Sequence, residues 1–171
     1  MRVPRSIQLS DITGYVHVIW RCHNREFYLS LDAVKQMYLQ CLQKAFKKEY
    51  AQKNLEMYAY CAMGNHFHKV MRYKSGFRWL SKFMRCAHGA FGLRYNRFVG
   101  RSGKVAEDRP KTPLIQDVKR LMEVHFYVEA NPIRAKMYKL ENLKLYQFSS
   151  YAFYAFGVRN EFTPLLSIPQ W

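Results

Sequence analysis

The chain has 171 residues and a mass of 20.5 kDa, and its 49% hydrophobic and 16% aromatic content is enough to bury one core, which excludes a disordered chain. Its 28 Lys and Arg face 12 Asp and Glu, a net charge of +16; so large an excess repels itself unless an acidic partner lies alongside, which points to a polyanion. Met1 to Gly14 holds no apolar centre of a signal peptide, and the longest uncharged run, Leu145 to Val158, is short of the ~20 apolar residues that span a bilayer, so a soluble protein without a membrane partner is expected.

Tyr15 to Cys22 is rich in β-branched and aromatic residues and reads as a strand. A helix follows from Asp32, taken as its cap, to about Tyr50; Val34, Met37, Tyr38, Cys41, Leu42, Ala45 and Phe46 recur at three- and four-residue steps. Leu55 to Met63 is a second strand. The Gly64-Asn65 turn leads from it into a third, His66 to Arg72, so the two should pair as a hairpin. Ser75 is the expected cap of a second long helix that buries Leu80, Phe83, Met84, Ala87, Phe91 and Tyr95. After a basic loop, Val99 to Pro113, come a short strand at Leu114-Ile115 and a third helix capped by Asp117, with Val118, Leu121, Met122 and His125 on one face, ending at Asn131-Pro132. Ser149 to Phe156 reads as a last short helix. The order predicts an α+β fold, a ferredoxin-like (RRM-like) antiparallel sheet with helices packed on one face, in a single domain of residues 1–171 with a core of about 15–135 and an extension of 136–171. Cys22, Cys41, Cys61 and Cys86 form no Cys-x-x-Cys pair, which points away from zinc or a disulfide framework and toward a cytoplasmic protein.

Three features could carry chemistry. His66 and His68 alternate on one strand, so both imidazoles face the same side and can share a divalent metal; the same spacing also describes a hydrogen-bonded surface pair. Tyr127 and Asn131 stand one helical turn apart, a phenol and an amide aimed at one target, or else a core tyrosine and the cap of a turn begun by Pro132. From Arg78 to Lys111, nine basic residues (Arg78, Lys82, Arg85, Arg94, Arg97, Arg101, Lys104, Arg109, Lys111) face only Glu107 and Asp108, an imbalance that suits a phosphate-binding surface.

Tyr60-Cys-Ala-Met-Gly-Asn-His-Phe-His68 resembles the strand-turn-strand signature of the single-tyrosine transposases of the HUH endonuclease superfamily. Phe126-Tyr-Val-Glu-Ala-Asn-Pro-Ile-Arg-Ala135 is similar to the nucleophile helix of their branch of REP-associated tyrosine transposases. Val16 to Arg25, Tyr95-Asn-Arg97 with Gly100 to Gly103, and Phe148 to Tyr151 fall where that branch has similar segments, so the likeness runs from about Tyr15 to Tyr151. The chain departs from the pattern at Gly64, where the family usually has Pro, at Lys69, where it has an apolar residue, and at Asp108-Arg-Pro-Lys111.

The resemblance implies that His66, His68 and Asn131 hold Mg²⁺ or Mn²⁺ and that Tyr127 attacks DNA, leaving a covalent 5′-phosphotyrosine and a free 3′-hydroxyl. It implies a bacterial, cytoplasmic enzyme acting on single-stranded DNA near a hairpin, as a monomer or a homodimer. Arg21, Arg25, Arg78, Lys82, Arg85, Arg97, Arg101, Lys104, Arg109 and Lys111 are the expected DNA contacts. Two other readings stay open: a noncatalytic module binding single-stranded nucleic acid, and a metal-dependent phosphodiesterase that uses water.

Overall fold

The alternating segment at the start of the sheet forms β1 (Gly14–Arg21), in a computed structural model that describes residues 13–169. The amino-terminal segment read for a signal peptide lies, up to residue 12, outside them. Helices α1 (Asp32–Phe46) and α2 (Glu49–Asn54) follow, then β2 (Leu55–Ala62) and β3 (His66–Tyr73), joined by the expected hairpin turn. Next come α3 (Phe77–Val99), β4 (Leu114–Ile115), α4 (Val118–Glu129), the single turn α5 (Asn131–Arg134) and α6 (Tyr151–Phe156). The sheet is antiparallel throughout, in the order β2-β3-β1-β4. This is the expected α+β, ferredoxin-like arrangement, except that α4 packs on the sheet face opposite α1 and α3 instead of joining them on one face.

The first helix is shorter than its periodicity suggests. It stops at Phe46, and Lys48 adopts extended backbone before α2 begins. Asp32 is not the cap: Leu31 holds that position, and the Asp32 carboxylate instead accepts from Lys35 Nζ at 2.8 Å. Gly76 likewise takes the place expected for Ser75, whose hydroxyl donates to Asn54 Oδ1. Asp117 does cap α4, accepting from Arg120 N at 2.7 Å. On α4 the buried side chains are Leu121, Val124, His125, Val128 and Glu129, while Val118 and Met122 are exposed.

Alternation along β1 and β3 divides the molecule. Val16, Val18 and Trp20, opposite Met71, Lys69 and Phe67, form one face. They pack under α1 and α3, where Trp20 and Phe67 meet Tyr38 and Phe91. His17, Ile19 and Arg21, with His66, His68 and Val70, form the other, and α4 crosses it. Lys69 therefore lies in the core, fully buried across the sheet from the histidines. Its Nζ donates to Tyr38 Oη at 3.0 Å over the Phe67 ring, and burial pushes its pKa down to about 7. Gly64 makes room for Phe27, since a Cβ there would stand 2.9 Å from that ring.

Residues 136–169 return to the free edge of β2. Ala62 N donates to Phe148 O, Ser150 N to Tyr60 O and Ser167 N to Met57 O. The Tyr154 hydroxyl adds a bond to Tyr58 O at 2.6 Å.

Candidate active site on the open face of the sheet

Period-two alternation puts His66 and His68 on one face, with ring centroids 4.8 Å apart. A third histidine joins them. His17 of β1 stacks on His68 at 5.0 Å, and its Nε2 lies 2.8 Å from His68 Nδ1. Above them, on α4, the Tyr127 ring stands edge-on to His17 at 5.8 Å and to His68 at 5.7 Å. Tyr127 is 39% exposed, so it is not a core residue, and its ring contacts place it beside the imidazoles.

Helix α4 reaches this position through its buried face. Glu129 Oε1 accepts from Ser150 Oγ at 2.8 Å and lies 3.4 Å from His125 Nε2, which ties the last turn of α4 to the segment that edges β2. Asn131, buried at the end of the helix, donates Nδ2 to Tyr127 O at 2.8 Å and to Val128 O at 3.3 Å. Its amide thus caps the helix that precedes it rather than the turn begun by Pro132. Among the described residues, no hydrogen bond joins Asn131 to the histidines.

The electrostatics favour neutral imidazoles facing an anion. Burial lowers His17 to about 4, with Arg120 assisting, and lowers His66 to about 4, with Arg21 assisting. Burial takes His68 lower still, to about 2, helped by His66, His17, Lys69 and Arg21. Arg120, Tyr127 and Arg134 follow at seven-residue steps, two helical turns, and the Arg134 guanidinium sits over the Tyr127 ring at 5.1 Å. Two neutral imidazoles on one face are donors that suit a divalent cation, although among the described residues no group of three or more His, Cys, Asp or Glu side chains is placed to hold one. His66 Nδ1 lies 2.6 Å from Asn65 Oδ1, an atom that can only accept, so the lone pair of His66 is on Nε2.

The basic residues divide into two groups. The loop after α3 runs along β1: Ile19 and Lys111 exchange two backbone hydrogen bonds at 2.9 Å, Glu107 N donates to Arg21 O, and His23 N donates to Val105 O. This lines up Arg21, Arg25, Arg101, Lys104, Arg109 and Lys111 along one edge of the sheet, with Arg25 3.9 Å from Glu107 and Arg97 exposed at the adjoining end of α3. Arg78, Lys82 and Arg85 lie apart, on the outer surface of the helical layer, where Lys82 sits over Tyr50 and Arg78 over Trp79. Sequence reasoning missed His17, Asn65, Arg120 and Arg134. The heptad spacing about Tyr127 was a readable signal for the two arginines; nothing local in the sequence announces His17.

The fold is thus a four-stranded ferredoxin-like sheet whose open face carries a His-x-His pair opposed by a helical tyrosine. The family described as IS200-like transposase matches residues 11–102, more than half of the chain, and the chain belongs to that family. Its helical tyrosine lies beyond the matched segment. The chain is similar to the solved structure of a REP-associated tyrosine transposase bound to a REP hairpin, at 18% identity and a TM-score of 0.69, covering 94% of this chain and 88% of that one; at such identity the likeness is one of fold. It is also similar to the crystal structure of a candidate transposase from Deinococcus radiodurans R1, at 18% identity and a TM-score of 0.48, over 75% of this chain and 96% of that one. No curated protein matches it. No helix among the described residues is long and apolar enough to cross a membrane.

Proposed function

We propose that the chain is a metal-dependent endonuclease and strand transferase of single-stranded DNA, with Tyr127 as its nucleophile. The observation that carries this reading is the approach of the half-exposed Tyr127 ring to the edges of His17 and His68 on the open face. A tyrosine that merely filled the core would not remain exposed beside neutral imidazoles.

His66 and His68 would hold Mg²⁺ or Mn²⁺, with the Asn131 carboxamide oxygen as a third donor from the chain; imidazole suits Mn²⁺ better. When bound, the ion withdraws charge from a nonbridging phosphate oxygen and orients the phosphorus. The remaining work falls to the chain. Tyr127 Oη forms a bond to phosphorus as the bond from phosphorus to O3′ breaks, and the phenol proton ends on the released 3′-hydroxyl, leaving a 5′-phosphotyrosine. The bond energy is retained, so attack by another 3′-hydroxyl on the same phosphorus rejoins strands without ATP. Arg134 and Arg120 place positive charge on either side of the reacting phenol, where the phosphate must sit. The edge cations from Arg21 to Lys111 track the strand that leads to it. A hairpin beside the cleaved strand is the substrate this reading favours, since the solved transposase of like fold is bound to one.

A denaturing gel of the protein incubated with an end-labelled oligonucleotide and Mn²⁺ tests the proposal. A labelled band at the mass of protein plus DNA is expected. Cleavage without such a band would mean that water is the nucleophile, and tight binding without cleavage would mean a noncatalytic module.

A further inference from the structure

We infer that His17 is a positioning residue whose Nε2 accepts the Nδ1–H of His68 and so turns the His68 Nε2 lone pair toward the metal. The inference rests on the metal reading proposed above and adds to it a residue from a different strand.

The contact is specific in its atoms. His17 lies opposite Val70 in the β1–β3 register, which makes it the diagonal neighbour of His68 on the same face. Its Nε2 is 2.8 Å from His68 Nδ1, the two rings stack, and both side chains are buried. A neutral imidazole carries one N–H and one lone pair, so a nitrogen–nitrogen contact of this length takes one of each. Only two arrangements exist. If His17 donates, the His68 proton is forced onto Nε2, and neither nitrogen of His68 is left to bind a cation. If His17 accepts, His68 presents Nε2 as a lone pair. His66 is already fixed in that second state by the Asn65 carbonyl oxygen. Two imidazoles on one face thus present the same nitrogen, each with its other nitrogen committed to a neighbour, which is how ligand histidines are usually oriented.

The test compares an acceptor with a side chain that has none. His17→Gln retains an oxygen able to take the His68 proton; His17→Leu removes it. Mn²⁺ affinity of the DNA-free chain, read from the spin-resonance signal of the free ion, should fall about 10- to 100-fold in His17→Leu and by no more than about threefold in His17→Gln. Binding of a single-stranded oligonucleotide without metal should match the unaltered chain in both. In the Mg²⁺-saturated unaltered chain, ring ¹⁵N spectra should put the His68 proton on Nδ1, a result that needs no variant to fold. A proton on Nε2, or full Mn²⁺ affinity in His17→Leu, overturns the assignment. An unaltered chain that takes up no Mn²⁺ overturns the metal reading itself, a different outcome from a variant that matches a competent parent.

Discussion

Tyr127 is the residue on which the proposed chemistry turns, and removing its hydroxyl is informative because the ring keeps its contacts with His17, His68 and Arg134. Tyr127→Phe should abolish the covalent adduct while leaving oligonucleotide affinity within about twofold, because only the hydroxyl is removed. An adduct of undiminished yield would remove Tyr127 from the mechanism. His66→Ala and His68→Ala should each cut Mn²⁺-dependent cleavage by at least about a hundredfold, and cleavage that persists in chelator would argue against the ion altogether. The histidines also predict a pH effect on the metal-free fold. Their folded pKa values lie below the unfolded value, so the unfolded chain takes up protons first as pH falls. Their contribution is intact above about pH 6.5 and is lost as pH falls toward 4, so melting temperature in chelator should decline as pH falls below 6.5. The shared face of His66 and His68 was legible in the sequence because strand alternation marks it, and Tyr127 was singled out by the likeness of its helix to a known motif. His17 was not, because its role depends on the β1–β3 register, a long-range pairing that no local pattern encodes.

The elements that carry these residues were legible where periodicity was clean. The stripe of α3 is buried at every expected position, and Gly100, in the left-handed conformation at φ 66°, ends the helix where only glycine is unstrained. Caps were less legible: Asp32 and Ser75 are ordinary cap residues that found partners elsewhere. The placement of α4 across the open face could not be read, since its anchor is the buried Glu129 reaching Ser150, a residue 21 positions away. Ser150→Ala leaves that carboxylate without its hydroxyl donor and should cost about 1–3 kcal/mol in denaturant unfolding, more than an exposed Ser→Ala elsewhere. Lys69 offers the opposite case. Its folded pKa, about 7, lies below the unfolded 10.5, so the unfolded chain holds the extra proton between those values and stability rises with pH. Lys69→Met should raise stability at pH 7 by about 1 kcal/mol and flatten the rise between pH 7 and 9, measured by chemical unfolding.

At the scale of the whole molecule, the net charge of +16 favours a polyanionic partner without saying where it would lie. The fold separates the basic residues that the sequence runs together. The edge group adjoins His66 through Arg21, and the group on α3 faces away behind the helical layer. Substituting Lys104, Arg109 and Lys111 by Ala together should weaken binding of single-stranded DNA strongly and reduce the slope of log K against log salt by about 2, at roughly 0.7 for each phosphate no longer neutralised. The same treatment of Arg78, Lys82 and Arg85 should change the slope much less. Filter binding at several salt concentrations distinguishes the two, and equal effects would mean that DNA wraps both layers.

The carboxy-terminal strip along β2 has a bearing on how the protein behaves in a crowded cell. By occupying the backbone groups of Ala62, Tyr60 and Met57, it keeps a long, aromatic strand from offering itself as a template to its neighbours. Removal of that strip would bare a row of unpaired amides and carbonyls, inviting copies to stack edge to edge before a single strand of DNA was ever met.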